Sequence, residues 1–497
     1  MTDGRSVVIP AAPTRTDPTR TGATRSTLVA FTAQLLSFLI NFGVAIALAR
    51  LLDPEDFGLF GIAFSVIGIF EFARHGGLVV PVIQSETVSD AQRTTLFWFN
   101  AGLGLSLALL AVAMAPLVGT LYADARVAPL IAALGLIFLA SGLSVQHIAL
   151  LRRDMRFTAL AACELTALLV GAVLAIWAAL HGARYWTLIV FQLVRELLQS
   201  LFVVIVARWR PGWPALNATV TPLLRSGGIM MLFELIGYLN FKADNLIVGG
   251  QLGPVALGYY GKAYEFLLLP INQIVTPLSN VVHSSLSRLL REPEAYRTFL
   301  FRALLLATGL GMPITAFLFA NAHTLIVQVL GAQWESSVPI YRALAPAAAS
   351  MTVTCSVGWI FLSLGRARRQ IRWSALTTVI TVVAFVVGTV WGAEGVAVAF
   401  SATRVLLLIP TLIFTCAGTF VPWTGLLTTA ARPALGSVLA MATSFLADAY
   451  YPPTGWTLPR NALLFLAVYI LCWMLMPTGR ALLRESLLLA RRRPADG

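Results

Sequence analysis

Long apolar runs separated by short polar turns dominate the chain. An α-helix needs about 20 consecutive apolar residues to cross a bilayer core. Fourteen stretches meet that length, at about 29–49, 58–82, 95–118, 128–150, 159–180, 186–207, 227–250, 258–286, 299–319, 338–362, 373–392, 395–417, 432–450 and 461–478. The segment 322–332 is a further apolar piece, too short to span, placed at the membrane edge. The loops are short, and none is long enough to hold a soluble catalytic domain. The pattern predicts an all-α polytopic membrane protein with about 14 transmembrane helices.

Composition agrees. The chain is 58% hydrophobic and 11% charged, against about 25% charged in soluble domains. The net charge of +13 raises the question of nucleic acid, and its distribution answers it. If both termini are cytoplasmic, 25 of the 35 cations fall in cytoplasmic segments or at their edges. Arg50, Arg126, Arg184 and Arg460 fall outside, and six more lie within spans. That asymmetry is the positive-inside rule, so no nucleic acid is needed to explain it. Cys163, Cys355, Cys416 and Cys472 all sit in apolar spans, as small hydrophobes and not as disulfides or metal ligands. Residues 1–27 are polar and read as a disordered cytoplasmic tail. With no short apolar stretch before a cleavage site, a cleaved signal peptide is not expected.

Two pairs of segments indicate an internal duplication. Residues 52–64, LDPEDFGLFGIAF, align with residues 252–264, LGPVALGYYGKAY, at an offset of 200. Residues 152–160, RRDMRFTAL, align with residues 368–376, RRQIRWSAL, at an offset of 216. The repeat unit is six spans, and an even number makes the copies parallel. Parallel repeats occur in transporters, whose sites lie near the midplane between them. The expected organisation is a six-helix lobe at 28–210, a second at 226–418, two additional helices at 430–478 and a basic cytoplasmic tail at 479–497.

Ionised residues inside a span cost about 2.5–3.5 kcal/mol each on insertion scales, so they mark surfaces that face protein or water. The seventh span carries Glu234, Asn240, Lys242, Asp244 and Asn245. In the eighth, Lys262, Glu265, Asn272, Gln273, Asn280 and His283 share an arc of about 100° if the helix is regular. Such a stripe lines an aqueous path or, alternatively, glues neighbouring helices through hydrogen bonds. Pro270 and Pro277 are positioned to kink it. Gln34, Ser37 and Asn41 share a face of the first span, and Glu71 has Arg74 and His75 at ion-pairing spacing. Arg195 and Arg404 occupy corresponding spans of the two repeats. They present positive charge from both halves, or are paired or snorkelling. No phosphate-binding Gly-rich loop, paired metal-ligand His or Gly-x-Ser-x-Gly is present, so neither catalytic nor metal-binding residues are assigned and no cofactor is expected.

Residues 240–264, NFKADNLIVGGQLGPVALGYYGKAY, continuing to Pro270, resemble the polysaccharide transporter family of the multidrug/oligosaccharidyl-lipid/polysaccharide superfamily. Residues 149–157, ALLRRDMRF, and 49–60, ARLLDPEDFGLF, resemble it too. Where the family usually has an Asp-Leu-Gly-like segment in the second span, residues 70–77 read FEFARHGG. The resemblance implies two six-helix lobes around a cleft. It also implies a transporter, not an enzyme: a flippase moving a polyprenyl-diphosphate-linked oligosaccharide (an exopolysaccharide, capsule or O-antigen unit) to the outer leaflet of a bacterial inner membrane by alternating access. Lys242, Lys262, Arg195 and Arg404 are then candidates for the diphosphate. Asn240, Asn272, Gln273, Asn280, Tyr260 and Tyr264 are candidates for the headgroup sugars. Asp244, Glu234, Glu265 and Glu71 are the candidate carriers if a proton or sodium gradient is coupled. Expected partners are the lipid-linked oligosaccharide, membrane lipid, and a glycan polymerase and glycosyltransferases. The competing readings are a cation-coupled drug antiporter of the same superfamily, a membrane glycan ligase or polymerase, and a scaffold.

Overall fold

The computed structural model describes residues 20–75, 89–213, 221–451 and 456–475, with side chains except at 20–31, 71–75, 221–237 and 239–241. Residues 1–19 of the tail expected at 1–27, the tail expected at 479–497, and the side chains of Glu71, Glu234 and Asn240 lie outside the described residues.

The first six helices are α1 (Arg20–Leu51), α2 (Pro54–His75), α3 (Asp90–Leu121), α4 (Val127–Arg153), α5 (Phe157–Leu180) and α6 (Trp186–Ala207). A long run, Thr221–Pro270, is broken at Gly253 into α7 (221–252) and α8. The latter continues through a π-turn (Ile271–Val275) and a last helical piece (Thr276–Arg288). Then come α9 (Pro293–Ala320), α10 (Ser337–Ser363), α11 (Ala367–Gly388), α12 (Gly392–Leu406 with Leu408–Cys416), α13 (Trp423–Tyr450) and α14 (Thr457–Leu475). Within the described residues, each of the fourteen apolar stretches falls on one of these helices. The first helix starts at Arg20, ahead of the boundary expected at 28. Ten helical stretches among the described residues are long and apolar enough to cross a membrane, and the protein is a multi-pass membrane protein.

The helices form two parallel lobes, and their packing repeats. In the first lobe α1 packs on α5, α2 and α3 on α4, and α6 on both α4 and α5. In the second, the α7–α8 run packs on α10 and α11, α9 on α10, and α12 on both α10 and α11. Helices α13 and α14 lean on the outside of α9. Tyr469 of α14 donates to the Gly309 carbonyl (2.7 Å). Asn461 bridges Asn321 and Asp448.

The lobes meet most closely where α2 crosses the α7–α8 run, and the 200-residue repeat explains that crossing. A Cβ added to Gly58 would overlap the Pro254 carbonyl, and one added to Gly258 would overlap the Pro54 carbonyl. The repeated Pro and Gly are therefore a two-fold seam at which backbones touch. Each Pro opens its helix, where a missing N–H costs nothing. Gly253 makes the preceding turn with φ 82° and ψ 177°, a conformation open to glycine alone. In the first lobe Asp53 occupies this position, and its N–H donates to the Asp56 carboxylate (3.2 Å).

The second repeat pair requires a correction. Helices α4 and α10 run over 127–153 and 337–363, an offset of 210, not 216. The loops that follow confirm the register. Arg156 N–H donates to the Leu151 carbonyl and Arg366 N–H to that of Phe361. Their guanidiniums then reach Val206 and Ala417, at the ends of α6 and α12. The Arg-rich strings match six residues out of register because both loops select arginine to bind the last carbonyls of neighbouring helices. The change of offset along the chain has one main source. Residues 122–126 join α3 to α4, whereas 321–336 join α9 to α10. The second lobe thus carries eleven extra residues, and these include the apolar segment 322–332.

Candidate functional site

A cavity of about 410 Å³ lies between the lobes, walled by α1, α2 and α6 on one side and α7 and α8 on the other. Its polar lining is Asn41, Gln192, Lys242, Asn245, Lys262 and Glu265. Aromatic side chains come from Phe57, Phe60, Phe191 and Tyr264.

Lys262 is the least solvated of these groups, with its side chain 4% exposed. A buried ammonium is tolerated only when its charge is answered. Its Nζ donates to Glu265 Oε2 at 2.9 Å, and lies 4.2 Å from the centre of the Phe57 ring and 5.9 Å from that of Trp334. Such ring faces attract cations, more strongly when water is excluded. Glu265 is 63% exposed, so the pair presents its carboxylate to the cavity. Lys242 stands half-buried in the α7 wall.

Asp244 sits behind that wall. One oxygen accepts from the Tyr260 hydroxyl at 2.9 Å and the other from the Asn245 N–H at 2.7 Å. Lys242 and Arg404 act on it electrostatically. Tyr260 is fully buried and stacked on Tyr264, so among the sequence candidates it is a packing residue, with only Tyr264 of the two at the cavity. Arg404 is half-buried over Phe400, outside the lining. Arg195 follows Gln192 by three residues on α6, also outside the lining.

The single stripe expected along α8 does not hold. Regular geometry ends at Pro270, and Thr276 N–H bonds to the Ile271 carbonyl, five residues back. Pro277 explains this: with no N–H and a bulky ring, it disfavours the regular turn before it, and a π-turn takes up the extra residue. Everything beyond is rotated by about one residue's worth of helix, near 100°. Asn272, Gln273 and Asn280 are exposed and lie outside the cavity lining; His283 is half-buried. Lys262 and Glu265 alone of the six reach the cavity.

Sequence reasoning overlooked Gln192, Phe57 and Trp334. Gln192 carried a signal, as a lone amide in an apolar span one turn from Arg195. Phe57 and Trp334 carried none, since an aromatic in a span is ordinary.

Similar proteins place this arrangement. The chain is 25% identical over 362 residues to the lipopolysaccharide biosynthesis protein WzxC of Escherichia coli, covering 72% of this chain and 74% of that protein. It is 25% identical over 358 residues to the succinoglycan biosynthesis transport protein ExoT of Rhizobium meliloti, 72% of each. Among solved structures it resembles the lipid II flippase MurJ in an inward closed conformation, with a TM-score of 0.71 at 15% identity. That match covers 93% of this chain and all of the other, and establishes a shared fold. Residues 47–339, which hold the seam and the α2, α6, α7 and α8 walls of the cavity, match the family of polysaccharide biosynthesis proteins, and the chain belongs to that family.

Proposed function

We propose that the protein is a flippase that carries a polyprenyl-diphosphate-linked oligosaccharide from the inner to the outer leaflet of a bacterial cytoplasmic membrane by alternating access. The observation that carries this reading is the cavity between the lobes, where two lysines stand among amides and ring faces. A sugar head must cross about 30 Å of hydrocarbon while its tail stays in lipid. A polar cleft open to the side lowers that barrier. Lys242 and Lys262 suit a diphosphate; Asn41, Gln192, Asn245 and Tyr264 suit sugar hydroxyls and faces. The inside-negative potential favours outward movement of an anion by about 2.3 kcal/mol per charge per 100 mV. If a proton or sodium ion is coupled, Glu265 is the better carrier, because both Asp244 oxygens already accept hydrogen bonds.

The arginine distribution supports a cytoplasmic position for both termini, and a glycan polymerase and glycosyltransferases are the partners this role calls for. A drug antiporter would want an acidic cavity for cationic substrates, and here two lysines face one carboxylate. The test is leaflet-resolved labelling of the lipid-linked glycan. Deleting the gene should leave it on the cytoplasmic leaflet; glycan reaching the outer leaflet at the normal rate would rule the reading out.

A further inference from the structure

The eleven extra residues of the second lobe do not hang free. They form a short helix (Ala322–Leu325), a π-turn (Ile326–Leu330) and a 3-10 turn (Ala332–Trp334), and they dock across the lobe boundary on the end of α1. The last carbonyls of a helix lack partners within it, and both helix ends here are completed by the opposite lobe. Trp334 Nε1 and Gln333 Nε2 donate to the Ala49 carbonyl at 2.8 and 2.9 Å. In return the Arg50 guanidinium donates to the Val329 and Gln328 carbonyls, a cation at a helix C-terminus as the dipole favours. By the arginine distribution this is the outer side of the membrane. The matching corner of the first lobe has one lobe-to-lobe bond, Tyr122 hydroxyl to the Leu246 carbonyl (3.3 Å).

Trp334 also looks inward. Its ring is fully buried, meets Phe57 edge-on at 5.2 Å, and lies 5.9 Å from Lys262 Nζ. One side chain therefore touches both the α1 end and the cation of the cavity.

We propose that residues 321–336 are the latch that holds the lobes together on the outer side, and that Trp334 is a positioning residue linking this latch to Lys262. The link rests on the flippase reading only for its purpose: an anionic headgroup that draws Lys262 off the Phe57 and Trp334 rings loosens the latch, so the outer side opens once the cavity is loaded.

Gly261 gives a reporter, because it lines the cavity and a Cβ there meets nothing within 4 Å. Gly261→Cys in the full chain, in spheroplasts, is labelled from outside with a membrane-impermeant maleimide, against the parent chain as blank. Arg50→Ala, at an exposed position, loses two charge-assisted bonds, and Trp334→Leu loses a buried one; each should speed labelling roughly fivefold or more. Trp334→Phe, which keeps a ring but loses the N–H, should fall between. Lys262→Met should speed labelling about two- to threefold through the lost cation–ring contact. Arg50→Ala labelled at the parental rate overturns the latch, even if Trp334→Leu fails to fold. Lys262→Met labelled at the parental rate overturns the link. Farnesyl diphosphate, as a soluble polyprenyl diphosphate, should speed labelling of the Gly261→Cys chain. If it does not while Arg50→Ala and Lys262→Met do, the flippase reading fails and the latch stands.

Discussion

The two lobes share their helix order and their pairings, and they differ where the work is done. At the seam they are equals: Pro54 faces Gly258 as Pro254 faces Gly58. One turn further along, they part. The second lobe has Lys262 and Glu265 where the first has Ile62, fully buried in the core, and Ser65, which meets α7 through the Asn245 amide (3.4 Å). The second lobe also owns the long loop between α9 and α10. Duplication supplied a symmetric seam, and divergence placed the charge and the long loop on one side of it.

The seam is the place to break the comparison first. Gly58→Val and Gly258→Val each drive a side chain into a carbonyl of the opposite backbone, which cannot swing aside as a side chain can. Overpacking of this kind costs about 1–3 kcal/mol and sometimes more. Both variants should lose the monodisperse, detergent-stable protein, measured by size-exclusion chromatography. Gly261→Ala, one turn on in α8, meets open space and should behave as the parent. If only one of the two seam variants is damaged, the lobes are not equivalent there.

Sharpening comes next, from making the second lobe resemble the first. Lys262→Ile and Glu265→Ser restore the residues of the first repeat. Lys262→Ile should lower transport about 10- to 100-fold, each tenfold being about 1.4 kcal/mol, while the protein still inserts. Glu265→Ser should do less in an uncoupled transporter and as much in one driven by an ion gradient. Outer-leaflet glycan, read per molecule of membrane-inserted protein, checks both. Full transport by Lys262→Ile would remove the cation from the mechanism.

Much of this was legible in the sequence, and the failures have physical causes. The apolar runs located the helices because every backbone polar group in a bilayer must be satisfied within its own segment. The offset of 200 was right because Pro54, Gly58 and their partners are fixed by backbone contact, which admits few residue types. The offset of 216 was wrong because surface arginines are chosen for helix ends, not for place. The part of the stripe that reaches the cavity ends before Pro270: Asn272 and Gln273 fall within the π-turn itself, and that turn rotates Asn280 and His283 after it while leaving the hydrophobic pattern intact. Lys262 was found through its charge. Trp334 was not, because its role depends on Phe57 and Ala49, which lie in the other lobe.

The loop between α3 and α4 and the loop between α9 and α10 differ in their response to pH. In the first lobe the five-residue loop is pinned by ions: Arg126 donates to Asp124 at 2.8 Å and to Glu55 of α2 at 2.7 Å. The hydrogen bonds from Arg126 hold the Asp124 carboxyl below the usual carboxylate range. A carboxyl whose pKa is lowered by folding binds fewer protons in the folded state, so its stabilisation is present above the unfolded value, near 4, and is lost as pH falls through the folded one. Arg126 is 40% exposed, so screening limits the contribution to no more than about 1 kcal/mol. Thermal unfolding of the parent and of Asp124→Asn should differ by about one degree at pH 7, and the gap should close below about pH 4. Arg50→Ala should give a gap that does not move over the same range, because the acceptors of Arg50 are backbone carbonyls that do not titrate. A pH-independent gap for Asp124→Asn would mean that this loop, like the long one, is held by neutral contacts, and the contrast between the lobes would then rest on Lys262 and the latch alone.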